Sequence, residues 1–149
     1  MKRLELFTDG ACLGNPGPGG WAALLRYKQH EKIISGATAD TTNNRMELYA
    51  VIQGLQALTE PCAVEVYTDS QYLQKAFAKQ WLRKWEQNGW VTYDNKPVKN
   101  QDLWQELQKL TRQHQVRFHW IKGHADCKEN RLVDKEARRQ AQRLKKEVL

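Results

Sequence analysis

The sequence predicts an α/β protein built on a mixed sheet, three antiparallel strands then two parallel, flanked by helices. Three observations predict it. The first forty residues hold three strand-like runs that read as an antiparallel meander. Later strand-like runs are separated by helix-length segments, and strands joined through helices need crossover connections. Finally, Leu4-Glu5-Leu6-Phe7-Thr8-Asp9-Gly10 is echoed position by position by Val64-Glu65-Val66-Tyr67-Thr68-Asp69-Ser70.

The elements follow in order. Leu4–Thr8 alternates cleanly, Trp21–Tyr27 less so, and Lys32–Thr38 supplies the third strand. Between the first two, Gly14-Asn15-Pro16-Gly17-Pro18-Gly19-Gly20 concentrates turn residues into a tight loop. Thr41-Thr42-Asn43-Asn44 offers caps for a helix over Arg45–Leu58, which ends before Pro61. Val64–Thr68 is a strand, a helix starts at Ser70, and Trp81–Gln87 is a short helix. Trp90–Lys99 is loop-like, Asp102–Thr111 helical, Val116–Ile121 a last strand, and Asn130–Lys146 a long basic helix. No linker or low-complexity stretch interrupts residues 1–149, so one domain is expected.

A chain of 149 residues buries roughly 70% of its unfolded surface on folding. Charged residues make up 28% and mean hydropathy is −0.80, the balance of a soluble globular protein. The longest apolar run, Trp21–Leu25, is far short of the roughly 20 residues a membrane span needs. The N-terminus has no signal-peptide core, so a cytoplasmic protein without membrane attachment is expected. Cys12, Cys62 and Cys127 are odd in number and far apart, which argues against a disulfide framework or a zinc site. A net charge of +7 and a pI near 9.4 point to a polyanionic partner; a merely basic housekeeping protein fits the composition equally.

Acidic residues carry the chemical signal. In each copy of the heptad the pleat puts the aspartate on the face of the aromatic two residues back. If the strands are parallel neighbours, roughly 4.8 Å apart, Asp9 and Asp69 stand together at their carboxyl ends. Open α/β sheets place their sites there. Glu47 lies one turn before Val51 on the stripe Val51, Gly54, Leu55, Leu58, and so faces the sheet; Asn44-x-x-Glu47 also has capping-box spacing. Asp134 precedes Ala137, Ala141 and Leu144 on the least charged face of the last helix, where a first-turn aspartate also suits the helix dipole. Four converging carboxylates need a cation to offset their repulsion. Hard oxygen donors without thiolate select Mg²⁺ or Mn²⁺, ions that in pairs support phosphodiester cleavage. His119 sits inside a strand, where a buried structural role is expected, whereas His124 follows Lys122-Gly123 in a loop suited to proton relay.

Six segments in order, FTDG at 7–10, GNPGPGG at 14–20, TNNRME at 42–47, YTDS at 67–70, WIKGH at 120–124 and Asp134, resemble type 1 ribonuclease H, the bacterial ribonucleases HI in particular. The resemblance runs from about residue 3 to 143. It implies a five-stranded ribonuclease H-like fold and endonucleolytic hydrolysis of the RNA strand of an RNA–DNA hybrid. Two divalent ions, Mg²⁺ with Mn²⁺ as a substitute, and 5′-phosphate and 3′-hydroxyl ends are part of what it implies. Asp9, Glu47, Asp69 and Asp134 match the metal-binding carboxylates, and His124 the mobile-loop histidine.

The resemblance assigns reading of the RNA 2′-hydroxyl in the minor groove to Cys12, Asn15, Asn43, Asn44 and Gln71. It puts Thr42 and Asn100 at a phosphate pocket and Trp81 in the DNA channel. Between Gln71 and Asn100 six cations, Lys84 and Lys96 among them, face two acids and are interleaved with Trp81, Trp85, Trp90 and Tyr93. That pattern suits a backbone-tracking groove, with Trp85 and Trp90 given to packing. Many relatives carry arginine where this chain has Asp40, and Ala125-Asp126-Cys127-Lys128 replaces a Gly-His-Pro-bearing loop. The basic residues of the last helix, Lys135, Arg138, Arg139, Arg143, Lys145 and Lys146, read as a solvated face. A monomer acting on RNA–DNA hybrid duplex is expected. The competing readings are a reverse-transcriptase ribonuclease H domain and a noncatalytic hybrid-binding module; four carboxylates facing phosphate argue against the second.

Overall fold

The computed structural model describes residues 1–122 and 127–148. Strands β1 (Lys2–Cys12), β2 (Gly17–Tyr27) and β3 (His30–Thr41) form the antiparallel meander. Helix α1 (Asn43–Gln56) carries the chain across to β4 (Cys62–Thr68), and α2 (Gln71–Ala78), α3 (Trp81–Asn88) and α4 (Gln101–Gln113) carry it on to β5 (Gln115–Trp120). The long helix α5 (Lys128–Val148) closes the fold. Strand order is β3-β2-β1-β4-β5, with β4 parallel to both β1 and β5. The mixed five-stranded sheet is the one expected, and the repeated heptads are neighbours in it.

Every expected element is present, most with ends a few residues longer. Strands extend past their alternating runs because backbone pairing, not side-chain pattern, ends them: β1 continues through Gly10 to Cys12 against β2. Trp90–Lys99 is an irregular loop, closed on itself by a Val91–Pro97 bridge and by backbone bonds from Thr92 N to Lys96 O at 2.7 Å and from Val98 N to Trp90 O at 3.2 Å.

The two sheet faces are covered unequally. On one, Leu4, Leu6, Val64 and Val66 pack against Leu48, Ile52 and Leu55 of α1 and Leu103, Trp104 and Leu107 of α4. On the other, Phe7, Ala22 and Leu24 meet Val133 and Ala137 of α5. Helix α5 packs over β1, β2 and β3, which leaves the outer side of β4 and β5 to a row of stacked rings. Phe7, Tyr67 and His119 stack with centroids 4.8 and 4.7 Å apart. His119 is therefore not the buried residue its strand position suggested. Its side chain is 35% exposed, with Nε2 2.8 Å from Glu65 Oε2.

Close approach at two glycines fixes the helices that carry the acids. A Cβ on Gly10 would strike the backbone of Met46 and Glu47, and one on Gly20 the backbone of α5 at Ala137 and Ala141. Only bare backbone lets α1 and α5 sit this close to the central strands.

Candidate active site

Phe7 pairs with Tyr67 in the parallel register, so two residues on Asp9 and Asp69 reach the same level at the sheet's carboxyl edge. Glu47 arrives from α1 on one face and Asp134 from α5 on the other. All four line one open cavity of about 600 Å³ with Cys12, Asn43, Asn44 and Gln71. Among the described residues no three of the acids close to chelating distance of one point. The pocket is an acidic cleft, not a preformed cage.

Electrostatics within the cleft follow from burial. Asp9 is only 5% exposed, and its carboxyl is pushed up from 3.8 to about 9, by burial first, then by a hydrogen bond to Asp134 and the charge of Asp69. Burial also raises Glu47, reinforced by Asp69 and opposed by hydrogen bonds from Ser70 and Asn43. Asn43 Nδ2 donates to Glu47 Oε1 at 3.1 Å, and Ser70 Oγ donates a short bond to Oε2. The same Ser70 caps α2, accepting from Leu73 N at 3.2 Å. Both bonds aim Glu47 into the cleft.

Glu47 does not form a capping box. The N-cap of α1 is Thr42, whose hydroxyl accepts from Arg45 N at 3.3 Å, so Glu47 lies beyond the first-turn position a box requires. Its side chain is free for the site because the cap is supplied two residues earlier than Asn44.

Other expected site residues fall around this centre. Asn15 accepts from Asn43 N at 3.3 Å, tying the Gly-Pro loop to the start of α1. Cys12 Sγ lies 3.4 Å from the carbonyls of Gly17 and Thr41, and burial raises its thiol. Thr42 and Asn100 are outside the cavity and are linked through Arg45. Arg45 grips Asp102 with two bonds of 3.0 and 2.7 Å and donates to Asn100 Oδ1 at 3.2 Å. Asn100 in turn donates to Tyr72 OH, which also accepts from Trp104 Nε1 at 3.0 Å. Trp81 packs between Tyr72 and Trp85, at ring distances of 6.5 and 5.7 Å. Lys84 is exposed on α3, and Lys96, 77% exposed, stands 3.8 Å from Asp94. His124 lies outside the described residues.

Three participants escaped the sequence reading. Ser70 was seen only as a helix start, Tyr72 was not singled out, and Arg138 was read as part of a solvated face. Arg138 instead lines the cleft. Its i+4 spacing from Asp134 was the signal available.

Four carboxylates at the carboxyl edge of a mixed sheet, in a basic protein, fit the class of metal-dependent, phosphodiester-cleaving nucleases. Oxygen donors alone, two with protonation raised by burial, fit hard divalent cations. Comparison with known proteins makes this particular. The family model described as RNase H matches residues 1–142. A ribonuclease H of Thermus thermophilus is 64% identical over 95% of this chain and 85% of its own length, and one of Oleidesulfovibrio alaskensis is 57% identical over 96% and 93%. The crystal structure of LC9-RNase H1, described as a type 1 RNase H with the type 2 active-site motif, is 29% identical and superposes with a TM-score of 0.84 over 96% of this chain and 74% of its own. LC11-RNase H1, solved with an RNA/DNA hybrid, shares the fold at a TM-score of 0.67 and 20% identity, over 94% of this chain and 97% of its own. This chain belongs to the RNase H family. It is an endoribonuclease enzyme of that family, and membership implies dependence on divalent metal.

Proposed function

We propose that residues 1–149 form one domain that cuts the RNA strand of RNA–DNA hybrids with two Mg²⁺ ions, Mn²⁺ substituting, and leaves 5′-phosphate and 3′-hydroxyl ends. The observation that carries this reading is the meeting of Asp9, Glu47, Asp69 and Asp134 from four distant segments in one cleft. Asp9 and Asp69 would hold the ions from the strand ends, and Glu47 and Asp134 from the flanking helices. Bound there, divalent ions would supply an activated water and stabilise the leaving oxygen. Ser70 and Asn43 keep Glu47 oriented while it is charged. His124 relays a proton at the cleavage step.

Substrate reading uses the rim. Cys12, Asn15, Asn43, Asn44 and Gln71 meet the RNA minor groove, where the 2′-hydroxyl distinguishes RNA from DNA. Thr42 and Asn100 take a DNA-strand phosphate, with Arg45 and Tyr72 holding Asn100 in place. Asp40 removes a cation from that pocket. Trp81, Lys84 and Lys96 follow the DNA strand. The protein acts as a cytoplasmic monomer without a membrane partner; among the described residues no helix is long and apolar enough to cross a membrane. Identities of 53–64% to curated bacterial ribonucleases H, against 25% to a foamy-virus RNase H domain, favour a bacterial enzyme over a reverse-transcriptase domain.

A strand-labelled assay tests the reading. RNA-strand cuts confined to hybrid, requiring Mg²⁺ or Mn²⁺ and lost in Asp9→Asn, are expected. Cutting in chelator, or tight hybrid binding with no cutting in either ion, refutes it.

A further inference from the structure

Among the described residues lining the acidic cleft, Arg138 is the sole cation. Its one described partner is Asp134: Nε donates to Oδ1 at 3.2 Å across a single helical turn. An exposed pair of this kind contributes little to stability. Neighbouring arginines on α5 are engaged elsewhere, Arg139 by Glu136 and Arg143 by Gln140. Arg138 is 60% exposed where Asp134 is 21% exposed, so the cation stands on the open side of the cleft and the carboxylate on the closed side.

We propose that Arg138 is a further substrate-binding residue, whose guanidinium occupies Asp134 until a divalent ion takes that carboxylate and then grips an RNA-strand phosphate beside the cut. The inference rests on the hybrid-cleaving reading above. A divalent ion outcompetes one singly hydrogen-bonded, solvent-screened guanidinium for the same oxygen. The released planar fork matches a phosphate in geometry and charge. A fixed positive charge at this place has opposite effects on two measurable constants: it weakens cation binding and strengthens phosphate binding. A purely structural contact has no reason to do both.

Arg138→Gln and Arg138→Lys in the full chain test it. Calorimetric titration with Mn²⁺ alone, without nucleic acid, reads the first constant, and steady-state cleavage of a labelled hybrid at saturating Mn²⁺ reads the second. For Arg138→Gln the Mn²⁺ Kd is expected to fall about three- to tenfold and KM to rise by about as much, with kcat within about twofold. Arg138→Lys, which keeps the charge but loses the planar fork, should restore the Mn²⁺ Kd and only part of KM. An unchanged KM overturns the proposal whatever the titration gives, and so does a loss confined to kcat, which would make Arg138 only an aligner of Asp134. A Mn²⁺ Kd that rises in Arg138→Gln overturns it too. Wild-type protein that leaves the hybrid uncut in Mn²⁺ sinks the cleavage reading itself, and this control is read before any variant is compared.

Discussion

Asp9 shows how a single residue trades stability for function. Its carboxyl is raised from 3.8 to about 9, so between those pH values the folded protein holds a proton that the unfolded chain has released. The native state then binds more protons than the unfolded state, and metal-free stability falls as pH rises from about 4 to about 9. Glu47, raised by the same burial, adds a slope of the same sign. Asp9→Asn removes the larger contribution. In chelator at pH 8 its Tm should exceed the wild type's by several degrees, with a flatter pH dependence, while cleavage falls about a hundredfold or more. Thermal melts across pH 4–9 check the first half and single-turnover cleavage the second; a Tm below wild type's at pH 8 would contradict the electrostatic account. At this scale the sequence was informative about residue type and weak about environment. Asp9 and Asp69 were legible through the repeated heptad, and Glu47 and Asp134 as acids on the less polar faces of their helices. Ser70 and Arg138 were not, because a capping serine and a helical arginine look ordinary until a partner from another segment stands beside them.

Elements determine how closely those residues meet. Ser70 follows β4 and caps α2 at the start of the crossover to β5, and its hydroxyl serves both Leu73 N and Glu47. Ser70→Ala should lose about 1 kcal/mol through the cap. It should also lower kcat about tenfold as Glu47 loses its donor, whereas Ser70→Thr, which keeps the hydroxyl, restores most of both. Denaturant melts and steady-state kinetics separate the two effects. Gly10 is the tighter constraint. Any Cβ there meets the backbone of α1, which cannot swing aside as a side chain would. Gly10→Ala should therefore destabilise by about 1–3 kcal/mol and displace Glu47 with the helix, visible as loss of both Tm and activity. Element identity and order were readable from alternation, caps and breakers. The cap of α1 was left open among Thr41, Thr42, Asn43 and Asn44, since four consecutive capping residues are equivalent in sequence, and only the path from β3 selects Thr42.

Across the whole molecule, charge is segregated: a protein of net charge +7 gathers four acids in one cleft, where Arg138 is the only cation among the described lining residues. The net positive charge attracts a polyanion while the acidic cleft suits divalent cations. Lys84→Glu with Lys96→Glu, both on exposed positions of the segment beside the Trp81 cluster, should raise KM for hybrid about tenfold or more and lower kcat far less. The salt dependence of KM should flatten as phosphate contacts are lost. Titration of KM against KCl checks this, and an unaltered slope would detach that segment from the substrate path.

The chain's residues by themselves determined the number and order of elements, and marked the two echoed strands and the four acids as candidates to meet. Those features follow from local periodicity, turn chemistry and a repeat that is visible in one dimension. Tertiary structure alone decided how deeply Asp9 is buried, which donors hold Glu47, that His119 faces outward and that Arg138 enters the cleft. Burial, partner choice and protonation depend on distances between segments far apart in the chain, and those distances exist only once α1 and α5 have closed on opposite faces of the sheet.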